Sequence, residues 1–252
     1  MASIPQKVRI LRFAAEQGVV SLDDVARFLH RTDQMPAVRT ALHESGLSNF
    51  NYAKLKLGIW YLTQPESLDL LQYYFPDLPY FSLHSLGFYV IEHALELNRI
   101  RFTLQESKKL TVTQWLSENH IRALSCSGMS IGHGMYPDAI FYRQRADRTQ
   151  QKFVLEYEKT FKNIDRYKNI FRAYSRREDV KGRNVIYICK TPSIKENLEE
   201  IETRMAKTGE LEGAGLFFQF IVQDDFYRTY NNPKQEEGNG QQTQTISQQA
   251  YA

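Results

Sequence analysis

The chain has 252 residues, 42% of them hydrophobic and 13% aromatic, which is long enough for one large or two small cores and too apolar for a disordered polymer. A net charge of +3 excludes a strongly polycationic or polyanionic chain, and two cysteines, Cys126 and Cys189, exclude a disulfide scaffold or a cysteine metal cluster. No apolar stretch approaches a membrane span and the N-terminus lacks a signal-peptide core, so the expected location is the cytoplasm, with no membrane partner.

Residues 4 to 62 read as three short helices followed by a hairpin. Ile10, Phe13 and Ala14 fall at helical spacing in a first helix that Gly18 ends. Ser21 is an N-cap for a second helix over Leu22 to His30, with Asp23 and Asp24 in its first turn where the helix dipole favours acids. A third helix, about Met35 to Ser45, stops at Gly46 and presents Arg39, Thr40 and His43, and Lys54 to Leu62 then reads as a two-stranded wing. The pattern over 1–64 predicts a winged helix-turn-helix, with the third helix in a DNA major groove and Lys54 and Lys56 on phosphate. A trihelical domain used for dimerisation or protein contact is the competing reading.

Residues 65–80 form a linker with a short helix over Ser67 to Tyr74 and breakers at Pro76 and Pro79. A second domain is expected over 81–230. Ser82 opens its long helix, with Leu86, Val90, Ala94 and Leu97 on the side facing a sheet and Glu92 and Glu96 near the flank. Glu92 is a further candidate acid, against the plain alternative of a solvated helix face. A strand over Ile100 to Thr103 and a helix over Thr111 to Asn119 are expected next. Ser125 to Tyr136 holds Gly128, Gly132 and Gly134 but lacks the lysine and helix start of a phosphate-binding loop, and reads as a loop beside the site.

The most informative segment follows. Asp138 stands at the start of one strand, and Phe153 to Lys159 forms the next. Side chains alternate across a strand, so Val154, Glu156 and Glu158 share one face while Leu155, Tyr157 and Lys159 share the other. Adjacent like charges cost free energy unless a cation lies between them, and Asp138 would add a third oxygen donor. Three carboxylates with water suit Mg²⁺ or Mn²⁺, and the implied chemistry is phosphodiester cleavage. An edge strand whose acids pair with nearby Lys or Arg is the plain alternative.

A basic helix is expected from Thr160 to about Arg176; nine Lys/Arg stand against three acids between Lys159 and Arg183, so an anionic polymer would be held over the acids. Lys162 is placed in its first turn, close enough for a long stem to return the ammonium to the site and offset charge on a phosphate. Arg166, Lys168 and Arg172 on the same helix would hold flanking phosphates, or else form a solvated basic face. Val185 to Cys189 is a buried strand, Ser193 caps an acidic helix, Leu216 to Val222 is a last strand, and 231–252 reads as a disordered tail. The fold class is α/β (α+β), a mixed sheet flanked by helices after the N-terminal unit.

A Pro-Asp at one strand start, an acid-x-acid hairpin partner and a basic helix together resemble the PD-(D/E)-x-K nuclease core of restriction-endonuclease-like folds, with Glu158 where the motif has lysine. The N-terminal unit, Leu83-His84, Trp115 to Glu118, Pro137-Asp138, Leu155 to Glu158, Lys162, Arg166, Tyr167 and Tyr174 resemble the replication-relaxation proteins, and among these the MobC-type plasmid relaxases. That resemblance implies a relaxase that binds a plasmid transfer origin and nicks one DNA strand in a metal-dependent step, inside a relaxosome with accessory mobilisation proteins. His84 matches the family pattern, although lone histidines are commonly structural. Tyr157, Tyr167 and Tyr174 are packing or base-stacking residues or nucleophiles, so attack by water or by tyrosine stays open. Six histidines with no His-x-His pair argue against a histidine-cluster relaxase site, and no Gly-x-Ser-x-Gly elbow is present. Two alternatives stand beside the nickase: a catalytically inactive DNA-binding replication or transcription regulator, and a double-strand endonuclease.

Overall fold

The computed structural model describes residues 4–52, 57–76, 88–126, 136–176, 184–211 and 217–231. The first unit comprises α1 (Gln6–Gln17), β1 (Val19–Ser21), α2 (Leu22–Phe28), α3 (Met35–Glu44), β2 (Ser48–Tyr52) and β3 (Leu57–Tyr61). Gly18, at φ 79°, ends α1 and donates its N–H to the Ala14 carbonyl. Ser21 and Asp24 form a reciprocal capping box on α2. The strands make an antiparallel sheet in the order β1-β3-β2, in which Val19 faces Tyr61 and Ser48 faces Tyr61 from the other side. The hairpin begins earlier than the sequence suggests, and Lys54 and Lys56 lie outside the described residues, as does His84. Ile10, Phe13, Ala14, Val25, Val38 and Leu42 close the core of this unit.

After α4 (Pro65–Tyr74) comes α5 (Phe88–Glu106), a single helix running straight through the expected strand at 100–103. The error has a physical cause, because this helix is buried from both sides. Ile91 packs with Val19 and Ile59, Phe102 joins the core of the first unit, and Ile100 and Leu104 join the core beneath the main sheet. A helix enclosed in this way carries no apolar stripe of helical period. Val90, expected on the sheet side, is 47% exposed, and Ala94 packs toward the first unit while Leu97 packs toward the sheet.

Thr111 to Ser117, read as helix, is strand β4 (Thr111–Ser117), followed by α6 (Glu118–Cys126). A register shift between Val112 and Gln114 breaks the strand's alternation and hides its period. The sheet continues with β5 (Ala139–Gln144), β6 (Gln150–Glu158), β7 (Asn184–Cys189) and β8 (Phe217–Val222), in the order β4-β5-β6-β7-β8. Pairing is antiparallel from β4 to β6 and parallel from β6 to β8, so the sheet is mixed as the α/β (α+β) reading requires.

Helices α7 (Ile164–Ser175) and α8 (Pro192–Lys207) follow β6 and β7, and α9 (Gln223–Asn231) follows β8. The basic helix begins at Ile164 with Asn163 as its cap, so Lys162 lies before it and not in its first turn. Thr191, not Ser193, caps α8, because Pro192 fits the first helical position, where its missing N–H costs nothing. Helix α9 occupies the chain just before the expected tail, whose residues beyond 231 are outside the described ones. Val154, Tyr167, Phe171, Tyr174, Val185, Tyr187 and Leu198 fill one face of the sheet, and Phe141, Leu155, Tyr157, Ile188 and Phe226 fill the other. Among the described residues no helix is long and apolar enough to cross a membrane.

Candidate functional site

Strand β6 sorts its side chains as its alternation dictates. Val154 belongs to the α7 side with Glu156 and Glu158, whereas Leu155, Tyr157 and Lys159 face α5. Asp138 precedes β5 at the end where Ala139 pairs with Leu155, which brings its carboxylate beside the last residues of β6. Its Oδ2 accepts the Tyr157 backbone N–H at 2.7 Å and its Oδ1 lies 3.0 Å from His93 Nε2.

Lys162 reaches the site from the loop ahead of α7. Its ammonium is 2.9 Å from each Glu158 oxygen, donating to Oε1 and making an ion pair with the buried Oε2, which accepts no hydrogen bond among the described residues. A flexible stem starting outside the helix can thus supply the cation that the sequence lacks at position 158. Tyr174 donates its hydroxyl to Glu156 Oε1, and the Tyr167 hydroxyl accepts the Lys162 backbone N–H at 3.2 Å. Tyr187, opposite Glu156 in the register, is fully buried with its hydroxyl unpartnered among the described residues.

The electrostatics follow from this crowding. Burial and then the Asp138 charge push the Glu156 carboxyl well above the usual carboxylate range, against the pull of Tyr174 and Lys162. Burial also raises Glu158, with the Lys162 ammonium and the Tyr167 hydroxyl opposing it. Tyr167 and Tyr187 are raised by burial and by the neighbouring acids. The unpaired Cys189 thiol is pushed up to about 12 by burial and by Glu158, which makes it inert as a nucleophile.

Other expected residues lie elsewhere. Glu92 pairs with Lys159 on the α5 side of β6 rather than joining the acids, and Glu96 accepts from Gln223 and Tyr227. Tyr167 and Tyr174 are buried in the core with 0% exposure, a placement suited to packing and to hydrogen bonding with the acids. Arg172 is committed to Glu210 at 2.9 Å and to Asn169 at 3.0 Å, so it is not a free phosphate contact. Arg166 is exposed at the start of α7 and Lys168 is half-buried one turn before Arg172. Arg39 and His43 are exposed one turn apart on α3, with the His43 ring edge-on to Trp60 at 6.1 Å. His93 was not foreseen, since a lone histidine on a helix carries no motif.

The described residues contain no group of three His, Cys, Asp or Glu side chains arrayed to hold a metal ion. Each acid is instead engaged by a protein donor: Asp138 by His93 and Tyr157, Glu156 by Tyr174, Glu158 by Lys162. The donor types are nevertheless those a hard divalent cation takes, three carboxylates of which Glu156 is crowded by the Asp138 charge. No family model matches the chain, and neither a curated protein nor a solved structure matches it.

Proposed function

We propose that the chain is a DNA-nicking enzyme of the relaxase kind, acting on a plasmid transfer origin with accessory mobilisation proteins. The observation that carries this reading is the meeting of Asp138, Glu156, Glu158 and Lys162 at one end of the β5-β6 hairpin. The element order α5-β4-α6-β5-β6-α7-β7, with Pro137-Asp138 ahead of β5 and the acids on β6, is compatible with a restriction-endonuclease-like core in which α6 is inserted between β4 and β5. The order α1-β1-α2-α3-β2-β3 is likewise that of a winged helix, which supports a DNA-binding role for α3 through Arg39 and His43.

Asp138, Glu156 and Glu158 would hold Mg²⁺ or Mn²⁺, which supplies Lewis acidity toward a phosphate and a more acidic bound water. The chain's own residues do the rest. His93 and the Tyr157 N–H fix the Asp138 carboxylate, Tyr174 fixes Glu156, and Lys162 can shift from Glu158 to a phosphate oxygen as charge builds there. Burial of Tyr167 and Tyr174 behind the acids favours water as the attacking group.

One observation favours a second reading, a DNA-binding regulator without catalysis: each of the three acids already has a protein partner, Asp138 in His93, Glu156 in Tyr174 and Glu158 in Lys162. The discriminating experiment incubates supercoiled plasmid carrying a transfer origin with the protein and Mg²⁺, Mn²⁺ or EDTA, comparing wild type with Glu156→Ala. Open-circular product that requires metal and Glu156 supports the nickase, and linear product the double-strand endonuclease. DNA that stays supercoiled even with the accessory mobilisation proteins present leaves the regulator.

A further inference from the structure

Helix α1 ends against the junction between β4 and α6. The last four carbonyls of a helix, here Ala14 to Gln17, lie beyond the reach of its own N–H groups. Gly18 takes the first with its N–H, and two others are taken by side chains far along the chain: Asn119 Nδ2 donates to the Ala15 carbonyl at 3.4 Å, and the Ser117 hydroxyl donates to the Glu16 carbonyl. Ser117, 7% exposed, also stands at the N-cap position of α6, where its oxygen accepts the His120 N–H at 3.5 Å. One hydroxyl therefore closes a helix of the first unit and opens a helix of the second. The junction reaches the acids from its other side. Ser117 pairs with Ala139 in the register of β4 and β5, and the Glu118 N–H donates to the Asp138 carbonyl at 3.0 Å. Asp138 is thus one hydrogen bond from Glu118, whose two neighbours are both bonded to α1. Charged groups close round the joint: Arg12 Nε donates to Glu16 Oε1 at 2.7 Å, and His120 Nδ1 lies 3.5 Å from the same oxygen. Apolar contact alone lets two units slide, whereas hydrogen bonds at a helix end are directional and fix distance and rotation together.

We propose that Ser117 is a positioning residue that holds the first unit on the acid-bearing sheet, so that DNA read by α3 meets Asp138, Glu156 and Glu158 at one fixed offset. The inference rests on the DNA-nicking reading and adds what sets the position of the nick. Asn119 shares the task through the Ala15 carbonyl, and the Glu118 N–H passes it to Asp138. Loss of the Ser117 hydroxyl leaves Arg39 and His43 on α3 to bind DNA as before, but lets the acids drift relative to the bound strand. A misplacement of about 1 Å can cost about a hundredfold in rate.

The test uses the full chain and a linear duplex carrying the transfer origin, with wild type, Ser117→Ala and Asn119→Asp; circular dichroism checks the fold. An acid is favoured at the start of a helix, so Asn119→Asp keeps α6 while removing the donor to Ala15, and it decides the question if Ser117→Ala does not fold. Hydroxyl-radical footprinting without Mg²⁺ or Mn²⁺ should show wild type protecting two tracts at constant spacing, one under α3 and one under the acids. Both variants should keep the first tract at wild-type affinity and blur or lose the second. With Mg²⁺ or Mn²⁺, wild type should cut one phosphodiester bond, and the variants should spread their cuts over neighbouring bonds, with kcat reduced about ten- to a hundredfold and KM little changed. Variants that retain both tracts, or that cut the same single bond as wild type, overturn the proposal, as does a wild type that protects only one tract. Two tracts that depend on Ser117 in a protein that never cuts keep the proposal and remove the nickase. A single cut that ignores Ser117 keeps the nickase and removes the proposal.

Discussion

His93 Nε2 lies 3.0 Å from Asp138 Oδ1, tying the helix buried between the two units to the acid that precedes β5. Burial alone would lower the imidazole's pKa, but the Asp138 hydrogen bond and charge, aided by Glu118 and opposed by Lys162, raise it above its ordinary value.

A raised histidine stabilises the fold fully below its unfolded pKa of about 6.5, and that contribution is lost as pH rises through the higher folded value. In EDTA, the urea midpoint of His93→Gln should therefore fall well below wild type near pH 6 and approach it toward pH 8.5. A gap that stays constant with pH would mean that the pair contributes packing and no charge.

His120 should behave in the opposite sense. Burial, with Arg12 and Arg101 nearby, lowers its pKa despite Glu16, whose carboxylate lies 3.5 Å from Nδ1. The folded state then prefers neutral imidazole, so stability is lost as pH falls through about 6.5 toward the folded pKa. His120→Gln should flatten the loss of stability between pH 7 and pH 5, measured by the same titration; an acid limb as steep as wild type would remove His120 as its source.

These two histidines mark where the sequence stops being legible. The acids were readable because a strand's period of two puts Glu156 and Glu158 on one face whatever the surroundings, and Asp138 needed only its place ahead of β5. Helix starts at Ser21 and stops at Gly18 were readable because caps are local chemistry. Ile100 to Thr103 were misread because a helix buried on two sides shows no stripe, and the partners of Lys159, Arg172 and His93 depend on elements distant in sequence.

Asn98 joins the two units through buried polar contacts, donating to the Val19 carbonyl at 2.9 Å and to Asp24 Oδ2 at 3.2 Å. Asn98→Ala leaves both acceptors without that donor, and an unsatisfied buried group costs about 1–3 kcal/mol. The loss should appear in the denaturant midpoint with the two units still unfolding together. Two separate transitions would show that Asn98 is what couples them.

Glu156 is where function and stability should conflict. Its carboxyl is raised by burial and by the Asp138 charge, so folding favours the protonated form and stability falls as pH rises from the unfolded pKa toward the folded one. Glu156→Gln keeps an oxygen for the Tyr174 hydroxyl and removes the charge, and should stabilise the apo protein at pH 8 by about 1–2 kcal/mol. Mg²⁺ or Mn²⁺ that binds only the folded state should raise the melting temperature of wild type and not of this variant. Stabilisation by Glu156→Gln together with loss of the metal shift fits a site whose acids are held for a cation. Stabilisation with no metal shift even in wild type would instead assign the strain at Glu156 to the fold alone and favour the regulator.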